Sequence, residues 1–569
     1  MTLRNDPPRP LGTWLFGLTL AVLTLASFSA LEWDLETLLD AEERSAAFRR
    51  LGEFLGSFGS PDLSAEYLGE ATGIAMNTLA TALLGTLLGI GLGYGLALGA
   101  ARCIAVGSDE GPGRSGLRIA RRIANEGCRL ALDVLRGVPD FVWAIVILTG
   151  PGPGAVTGIL AIALNVAGIL GKIYSELWDA VPERSYEAVR ATGGGRLATF
   201  FFGIQPRTAR SMLSFTLMRT ECAIRNASVI GVVSRGGLGA ALFDEFNFGN
   251  YDRVVTLLMF TILLTASADA LSNVLRYQLR SDPNHPRTAR GTGFRETMTR
   301  RGFGLLGAGG LVVFSAVWLR EGFAKAAEQM QRIEWEWIRG QFGQFLMPDL
   351  APATLLEAAR ECVFPLAIGF LGTIFGVALA ALLAYPASMA FQVEPDRFSG
   401  ERTPTWLRSA RIAILTVTRG TALVFRAVPE VAWILILASF FRLGVVAGLL
   451  ALVLHTAGVL ARVFTEAVDN VPYRQHERVF SGSRFATFVY SALPAARTDW
   501  SAYSFLQLES SVRAGVVLGV IGIGGIGNSF HTSFQHFSYH RAGTFLLAMI
   551  VLTVIVDRLS RIRSRRLAA

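Results

Sequence analysis

The chain has 569 residues, of which 51% are hydrophobic and only 17% are charged, and its formal net charge is +9. A soluble globular domain carries about a quarter charged residues, so this composition predicts a membrane protein and argues against an ordinary soluble enzyme. The cysteines form no CxxC pair, and we interpret them as small apolar residues outside any disulfide or metal site. They are Cys103, Cys128, Cys222 and Cys362.

Six membrane-spanning helices are predicted in each half of the chain. Several apolar runs approach or exceed the ~20 residues that cross a bilayer, and hydrocarbon forces a spanning backbone into a helix, so we expect an all-α membrane fold. The predicted spans are 11–31, 72–100, 130–150, 155–178, 209–233 and 252–275, then 303–320, 358–390, 420–440, 443–468, 498–521 and 542–558. The first run is interpreted as a helix rather than a signal peptide, because a similar run opens the second half.

The second half repeats the first. Residues 136–182 and 426–472 align without a gap at a constant offset of 290 (426 − 136), beginning with RGVPDFVW in one copy and RAVPEVAW in the other. A repeat of this length determines architecture before any local feature does. The predicted organisation is a first repeat, a basic linker and a second repeat. The boundaries are 1–280 (core 70–276), 281–302 and 303–569 (core 357–564).

The distribution of charge predicts the topology. Arginines are concentrated in 101–129, 276–301 and 558–566, and each block adjoins an apolar span, so the positive-inside rule places all three in the cytoplasm. The acid-rich segment 32–70 should face outward. With both termini and the linker inside, each copy crosses an even number of times. The two copies are then parallel repeats about an axis along the membrane normal, with the translocation pathway between them.

A proline lies near the start of span three in both copies, as Pro139 and Pro429. Two interpretations stay open at this point: a harmless proline in the first turn of a helix, or a broken helix that lines a cavity. Arg136 and Arg426 lie three residues before these prolines and are candidates for the translocation path.

Span five carries ionisable residues. The glutamate–arginine pairs Glu221/Arg225 and Glu509/Arg513 have i, i+4 spacing and meet on one helical face. We interpret these pairs as self-neutralising contacts that lock neighbouring helices, because ionisable groups in the membrane are costly and tend to face the interior. Arg219 has no carboxylate four residues away. It is therefore the better candidate for contact with an anion.

A glycine-rich stretch follows span five in both copies. It predicts either close backbone packing or a flexible gate. The candidate gate residues are Gly236, Gly237, Gly239, Gly524, Gly525 and Gly527.

Between spans four and five, the first copy reads EAVRATG over 187–193, with Pro206 thirteen positions after the glycine (206 − 193). This resembles the EAA loop of ABC-importer permeases, which folds as two short helices around the glycine and docks into the ATP-hydrolysing subunit. The resemblance implies coupling residues Glu187, Ala188, Gly193 and Pro206 in the first copy, and Glu477, Gly482 and Pro494 in the second. The second loop is two residues shorter and has Gln475 and Ser481 at the Glu and Gly positions, so we expect altered or weaker coupling there.

Together these motifs, in this order, resemble the phosphonate ABC transporter permease over 70–276 and 357–564. The resemblance implies a type I ABC importer permease with two copies fused in one chain. It implies import of phosphonate or a related phosphorus oxyanion by alternating access, in a bacterial inner membrane. It also implies a periplasmic phosphonate-binding protein and an ATPase dimer that binds ATP and magnesium. This chain has no G-x-x-x-x-G-K-[S/T] motif, and we expect no cofactor or metal within it.

Three alternatives stay open. The first is a permease for phosphite or another solute of the same importer type. The second is an ion-coupled secondary transporter. An enzyme is least supported, because no nucleophile–base pair or metal-ligand cluster recurs in both copies. The outward segments 32–70 and 321–353 either dock the binding protein or pack on the bilayer surface.

Overall fold

The structure is a computed structural model. It describes residues 10–34, 39–105, 115–279, 309–332, 335–393, 404–471 and 483–568. Across these ranges the chain is helical and has no strand. The predicted all-α class is confirmed.

The helices of the first half are numbered in chain order. They are α1 Pro10–Ser29, α2 Ala41–Ser57, α3 Ala65–Ala100, α4 Arg102–Ala105, α5 Ser115–Gly137, α6 Asp140–Leu148, α7 Ala155–Asp179, α8 Glu187–Ala191, α9 Arg196–Ala198, α10 Gln205–Ser234, α11 Gly237–Phe248 and α12 Tyr251–Leu279. A single 3₁₀ turn, Glu183–Ser185, precedes α8, and a π-helical segment, Thr199–Ile204, leads directly into α10.

The second half follows the same order. Its helices are α13 Gly309–Trp318, α14 Arg320–Arg332, α15 Trp335–Leu346, α16 Pro352–Glu361, α17 Val363–Ala387, α18 Met389–Gln392, α19 Thr405–Ala427, α20 Glu430–Phe441, α21 Val445–Asp469, α22 Arg484–Thr487, α23 Leu493–Leu518, α24 Ile526–Gln535 and α25 Tyr539–Ala568. A π-helical segment, Phe488–Ala492, again precedes the long helix α23, and another, Gly519–Ile523, follows it.

The chain forms two compact units. The first-core unit comprises Glu53–Phe342 and Ala427–Ala432; the second-core unit comprises Met1–Gly52, Gly343–Arg426 and Trp433–Ala569. Each unit therefore contains the core of one repeat and the N-terminal segment of the other. The predicted boundaries at 280 and 303 delimit the sequence repeats, whereas the compact units follow tertiary packing.

Buried apolar contacts explain this exchange. In the first-core unit, Leu319 from the start of the second repeat packs with Ala80 and Ile159. In the second-core unit, Leu31 from the start of the chain joins the cluster that contains Leu371. Burial of these leucines removes apolar surface from the solvent. It holds each N-terminal segment against the core of the other repeat.

Seven helices in the described ranges are long and apolar enough to cross a membrane, or nine if each of two bent pairs is one span. Twelve spans were predicted. The first predicted span of each copy corresponds to a shorter apolar helix, Gly17–Ser29 and Gly309–Trp318.

Span three is not the continuous helix that was predicted over 130–150 and 420–440. α5 ends at Gly137 and α6 begins at Asp140, with Pro139 in an extended conformation as its N-cap. In the second copy, α19 and α20 meet at 98°. The proline ring removes a backbone donor and opposes the helical conformation of the preceding residue. The helix is therefore broken at the proline in both copies, and the prediction that the broken helix lines a cavity stays a prediction.

Close packing of α3 against α7 forms the centre of the first-core unit. Gly85, Gly89 and Gly93 recur every fourth residue along α3, and a Cβ atom on any of them would lie 2.8–2.9 Å from a carbonyl oxygen of α7. Small residues at this spacing allow two membrane helices to approach closely. Gly372 and Gly376 of α17 allow the same close approach to α21. This contact positions α7, which carries part of the candidate site.

Candidate functional site

The predicted coupling loop of the first repeat forms two short helices, α8 and α9, separated by a turn. Gly193 lies in that turn with φ +78°, a conformation that favours glycine. Glu187 and Ala188, at the start of α8, are exposed. The arrangement matches the two-helix shape that the resemblance implies, and it leaves the acidic first turn accessible to a partner protein.

Tyr186 connects the loop to span five. A Cβ atom on Gly203, in the π-helical segment before α10, would lie 2.7 Å from the Tyr186 Cβ, so the tyrosine packs directly on this glycine. Burial raises the pKa of Tyr186 above its usual value. Pro206 lies in the first turn of α10. A displacement of the loop is therefore transmitted by this contact to the start of span five.

A cavity of about 850 Å³ opens beside the loop. Basic side chains outnumber acidic ones in its lining, which includes Arg102, Arg122, Arg190, Arg196, Glu126 and Glu183. Cys103 also lines it, and burial and the nearby Asp179 carboxylate raise the pKa of its thiol to about 12. The thiol is therefore protonated and unreactive at neutral pH.

The corresponding loop of the second repeat is only partly described. Gln475, Glu477, Ser481 and Gly482 lie outside the described residues. Pro494 lies in the first turn of α23, as Pro206 does in α10. The guanidinium of Arg484, four residues before the π-helical segment, donates to the Phe391 carbonyl over 2.9 Å. The predicted difference in coupling between the halves stays a prediction.

The predicted charge pairs of span five are in contact. Arg225 Nη2 lies 3.6 Å from Glu221 Oε1, and Arg276 of α12 lies 4.0 Å from the other oxygen of Glu221. In the second repeat, Arg513 donates to Glu509 over 2.8 Å. Both glutamates are about 5% exposed. The geometry suits the interpretation that these pairs lock neighbouring helices.

Arg219 has a different environment. Its Nη2 donates to the Oδ1 of Asn165 on α7, and its buried Nε has no hydrogen-bond partner among the described residues. The charge of Arg219 also acts on the Asp140 carboxylate. Asp140 Oδ2 accepts a hydrogen bond of 2.7 Å from Asn226 Nδ2. We call Asp140, Asn165, Arg219 and Asn226 the first-core polar cluster.

Sequence reasoning identified Arg219 but missed the other three members of the cluster. They come from α6, α7 and α10, and 54 to 86 residues separate the hydrogen-bonded partners along the chain. Comparison of the two copies contained one signal that could have identified these residues. The corresponding positions of the second copy change from Asn165 to His455 and from Asn226 to Ala514, so these polar residues are not required by the shared fold.

The second repeat lacks a cation at the Arg219 position. Gln507 occupies it, and its Nε2 donates to Thr456 Oγ1 over 3.4 Å. His455 is buried, with 5% of its surface exposed. The two copies therefore provide the same helices with different polar chemistry.

Arg136 and Arg426 lie at the C-terminal ends of α5 and α19, immediately before the break in span three. Their backbones pack on Gly168 and Gly458, where an added Cβ would lie 2.5 Å from the arginine nitrogen. The structure thus places both residues at the kink in span three. Their role in translocation stays a prediction.

The candidate gate glycines lie where α10 meets α11 and where α23 meets α24. Cβ atoms on Gly239 and Gly527 would overlap the carbonyl oxygens of Ser228 and Val516. Gly237 (φ +75°) and the residues Gly524 and Gly525 (φ +127° and +74°) adopt positive φ, whereas Gly236 is extended. Close backbone packing, one of the two alternatives, is present at the third glycine of each stretch.

Comparison with known proteins gives a consistent family. The model of the binding-protein-dependent transport system inner membrane component matches residues 115–281 and 412–569. The phosphate-import permease protein of Mycolicibacterium smegmatis is 27% identical over 453 residues, which cover 77% of each chain. No solved structure matches.

Two shorter relatives match part of the chain. The phosphite transport system permease protein of Stutzerimonas stutzeri is 30% identical over 148 residues, 26% of this chain and 54% of that one. A protein of Escherichia coli that is provisionally named a cryptic phosphonate transport system permease is 30% identical over 118 residues, 21% of this chain and 97% of its own. With the family model matched twice, once in each repeat, this chain belongs to the binding-protein-dependent transport system inner membrane components.

Proposed function

We propose that this chain is the complete membrane component of an ABC importer that moves a phosphorus oxyanion into the cytoplasm by alternating access. The first-core polar cluster is the observation that supports a phosphorus oxyanion as the transported solute. It contains an intramembrane arginine with an amide partner on a neighbouring helix and a buried Nε–H group that has no partner in the described part of the chain. Guanidinium groups bind oxyanions through charge-assisted hydrogen bonds. The relatives named for phosphate, phosphite and phosphonate transport support the same class.

A partner ATPase dimer supplies the energy in this proposal. The exposed first turn of α8, with Glu187 and Ala188, is the docking surface, and ATP and magnesium are bound by the partner. Movement of the loop reaches α10 through Tyr186 on Gly203. α10 carries Arg219, so one helix joins the coupling loop to the cargo site.

The remaining parts of the proposal concern assembly and location. A periplasmic binding protein delivers the solute, and the two fused repeats replace a permease dimer. The chain lies in a bacterial inner membrane with both termini in the cytoplasm, as the three arginine blocks indicate. The segments 32–70 and 321–353 face the periplasm.

Phosphite is the second candidate cargo, because relatives of this chain are named for phosphite transport. Phosphonate is preferred on the motif order in both copies. An ion-coupled secondary transporter is disfavoured, since the matched family is one of binding-protein-dependent systems.

The test is ATP hydrolysis by the chain reconstituted in lipid with its candidate ATPase and binding protein. We expect stimulation by phosphonate-loaded binding protein and not by the empty protein. Stimulation only by phosphite-loaded binding protein would support the ABC importer and assign phosphite as its cargo. Absence of any association with an ATPase would overturn the interpretation of residues 187–206 and with it the proposed function.

A further inference from the structure

The first-core polar cluster contains acceptors as well as a cation, and a site for a simple anion does not need them. Asp140 Oδ2 accepts from Asn226 Nδ2 over 2.7 Å, and Oδ1 accepts the backbone N–H of Phe141 over 3.1 Å. Both oxygens thus act as acceptors in the structure, as in an ionised carboxylate. Each carboxylate oxygen has two lone pairs, so acceptor capacity remains on both.

Charge makes this arrangement selective. Burial opposes the ionised form of Asp140, whereas the charge of Arg219 and the hydrogen bonds from Asn226 and Phe141 favour it. The charge of Glu430 opposes it, and Ala427–Ala432 belongs to the same compact unit as the cluster. With Asp140 ionised, the formal charges of Arg219, Asp140 and Glu430 sum to −1 (+1 − 1 − 1). A fully ionised anion next to an ionised Asp140 meets repulsion and has no hydrogen to donate to the carboxylate. An oxyanion that retains one acidic hydroxyl donates it to the carboxylate while its charged oxygens bind the arginine.

We propose that Asp140 is a specificity-determining residue that selects cargo with a P–OH group, such as a monoprotonated phosphonate or phosphate, against fully ionised oxyanions such as sulfate. Arg219 supplies the attraction for either kind of anion, and Asp140 supplies the discrimination. No bond is made or broken, because the hydroxyl hydrogen stays on the ligand as a hydrogen-bond donor. This inference rests on the proposed function, since it assigns the cargo to the site that holds Arg219.

The test is equilibrium binding to the full chain in lipid nanodiscs, without ATPase or binding protein. Methylphosphonate is the probe, its binding is followed by ³¹P NMR line broadening, and sulfate is added as competitor. For the natural chain we expect methylphosphonate to bind and sulfate to compete weakly. In Asp140→Asn the new amide donor removes the repulsion, so the affinity for sulfate relative to methylphosphonate should rise about tenfold.

Two further variants separate discrimination from charge and from folding. Glu430→Gln removes a nearby negative charge but leaves the hydroxyl acceptor, so it should strengthen the binding of both anions, that of doubly charged sulfate more than that of singly charged methylphosphonate. The ratio should shift less than in Asp140→Asn, and an equal shift in the two variants would assign the discrimination to charge alone and overturn this inference. Asp140→Glu keeps the carboxylate and should keep the preference for methylphosphonate. If Asp140 has only a structural role, Asp140→Asn will weaken the binding of both anions by a similar factor.

The outcomes are distinct. An unchanged ratio in Asp140→Asn, with methylphosphonate still bound by the natural chain, overturns this inference and leaves the proposed function intact. A natural chain that binds sulfate as well as methylphosphonate also overturns it. If the natural chain binds neither anion the inference is again wrong, and ATP hydrolysis by the reconstituted importer decides the proposed function separately.

Discussion

The two repeats have the same skeleton and different polar interiors. In both, an arginine near the middle of the helix before the kink pairs with an aspartate at the end of the next long helix: Arg129 with Asp179 at 2.8 Å, and Arg419 with Asp469 at 3.4 Å. Yet the cation Arg219 of the first repeat corresponds to the neutral Gln507 of the second. Contacts that hold the helices together recur, whereas the candidate cargo-binding cation does not.

This difference separates fold from function within one chain. A duplicated fold must keep its packing contacts in both copies, since each copy has to bury the same helix faces. A single translocation pathway needs an oxyanion-binding cation only once. Asymmetry at a buried polar position is therefore a better indicator of the cargo site than the symmetry that identifies the family.

Replacing Arg219 should have the largest effect on transport, because the second repeat has no equivalent cation. Arg219→Gln gives the first repeat the residue of the second and removes a charge-assisted contact in the membrane, worth about 3 kcal/mol, so we expect transport efficiency to fall about a hundredfold. The measurement is the initial rate of phosphonate uptake into proteoliposomes. Gln507→Ala is the matched control and should change this rate less than twofold. Equal losses in the two variants would show that cargo recognition is symmetric.

The close glycine contacts should respond equally in both repeats. Gly239→Ala and Gly527→Ala each place a Cβ atom against a carbonyl oxygen, so each should lower the free energy of unfolding by about 2 kcal/mol. Thermal unfolding of the purified chain measures this loss. Gly91→Ala is the control, because no heavy atom lies within 4 Å of its added Cβ. A variant that unfolds at the temperature of the natural chain would contradict close packing at that crossing.

The coupling loops should differ. Gly193→Val strains a residue with φ +78° by about 1–2 kcal/mol, and we expect the transport per ATP hydrolysed to fall about tenfold. Gly195→Ala, at φ −61° with open space around its Cβ, should leave coupling unchanged. Gly482→Val in the second repeat should have a smaller effect than Gly193→Val. The opposite order would place the dominant coupling contact in the second half.

The smallest effects are expected for the recurring ion pairs. Asp179→Asn and Asp469→Asn remove the charge from partly exposed pairs, each worth about 0.5 kcal/mol, while the amide oxygen still accepts the backbone N–H groups of Cys103, Met389 and Ala390. The double variant should show the sum. Thermal unfolding at low and high salt measures the loss, which should shrink as salt screens the charges. A loss from one repeat alone would show that these pairs are not equivalent.

Several features followed from local sequence. The i, i+4 pairs Glu221/Arg225 and Glu509/Arg513 depend only on helical geometry, and Gly193 could be predicted to turn because glycine tolerates positive φ. The repeat itself predicted that the helices of one half would recur in the other. Each of these inferences concerns residues that are close in the chain or related by one constant offset.

Tertiary structure decided the rest. Sequence left the prolines of span three ambiguous, because the same residue suits a first turn and a break; the packing around Gly168 and Gly458 accompanies the break. The exchange of N-terminal segments and the meeting of Asp140, Asn165, Arg219 and Asn226 depend on which helices become neighbours. Helical periodicity tells which residues share a face. Only the packing of whole helices determines which face each one meets.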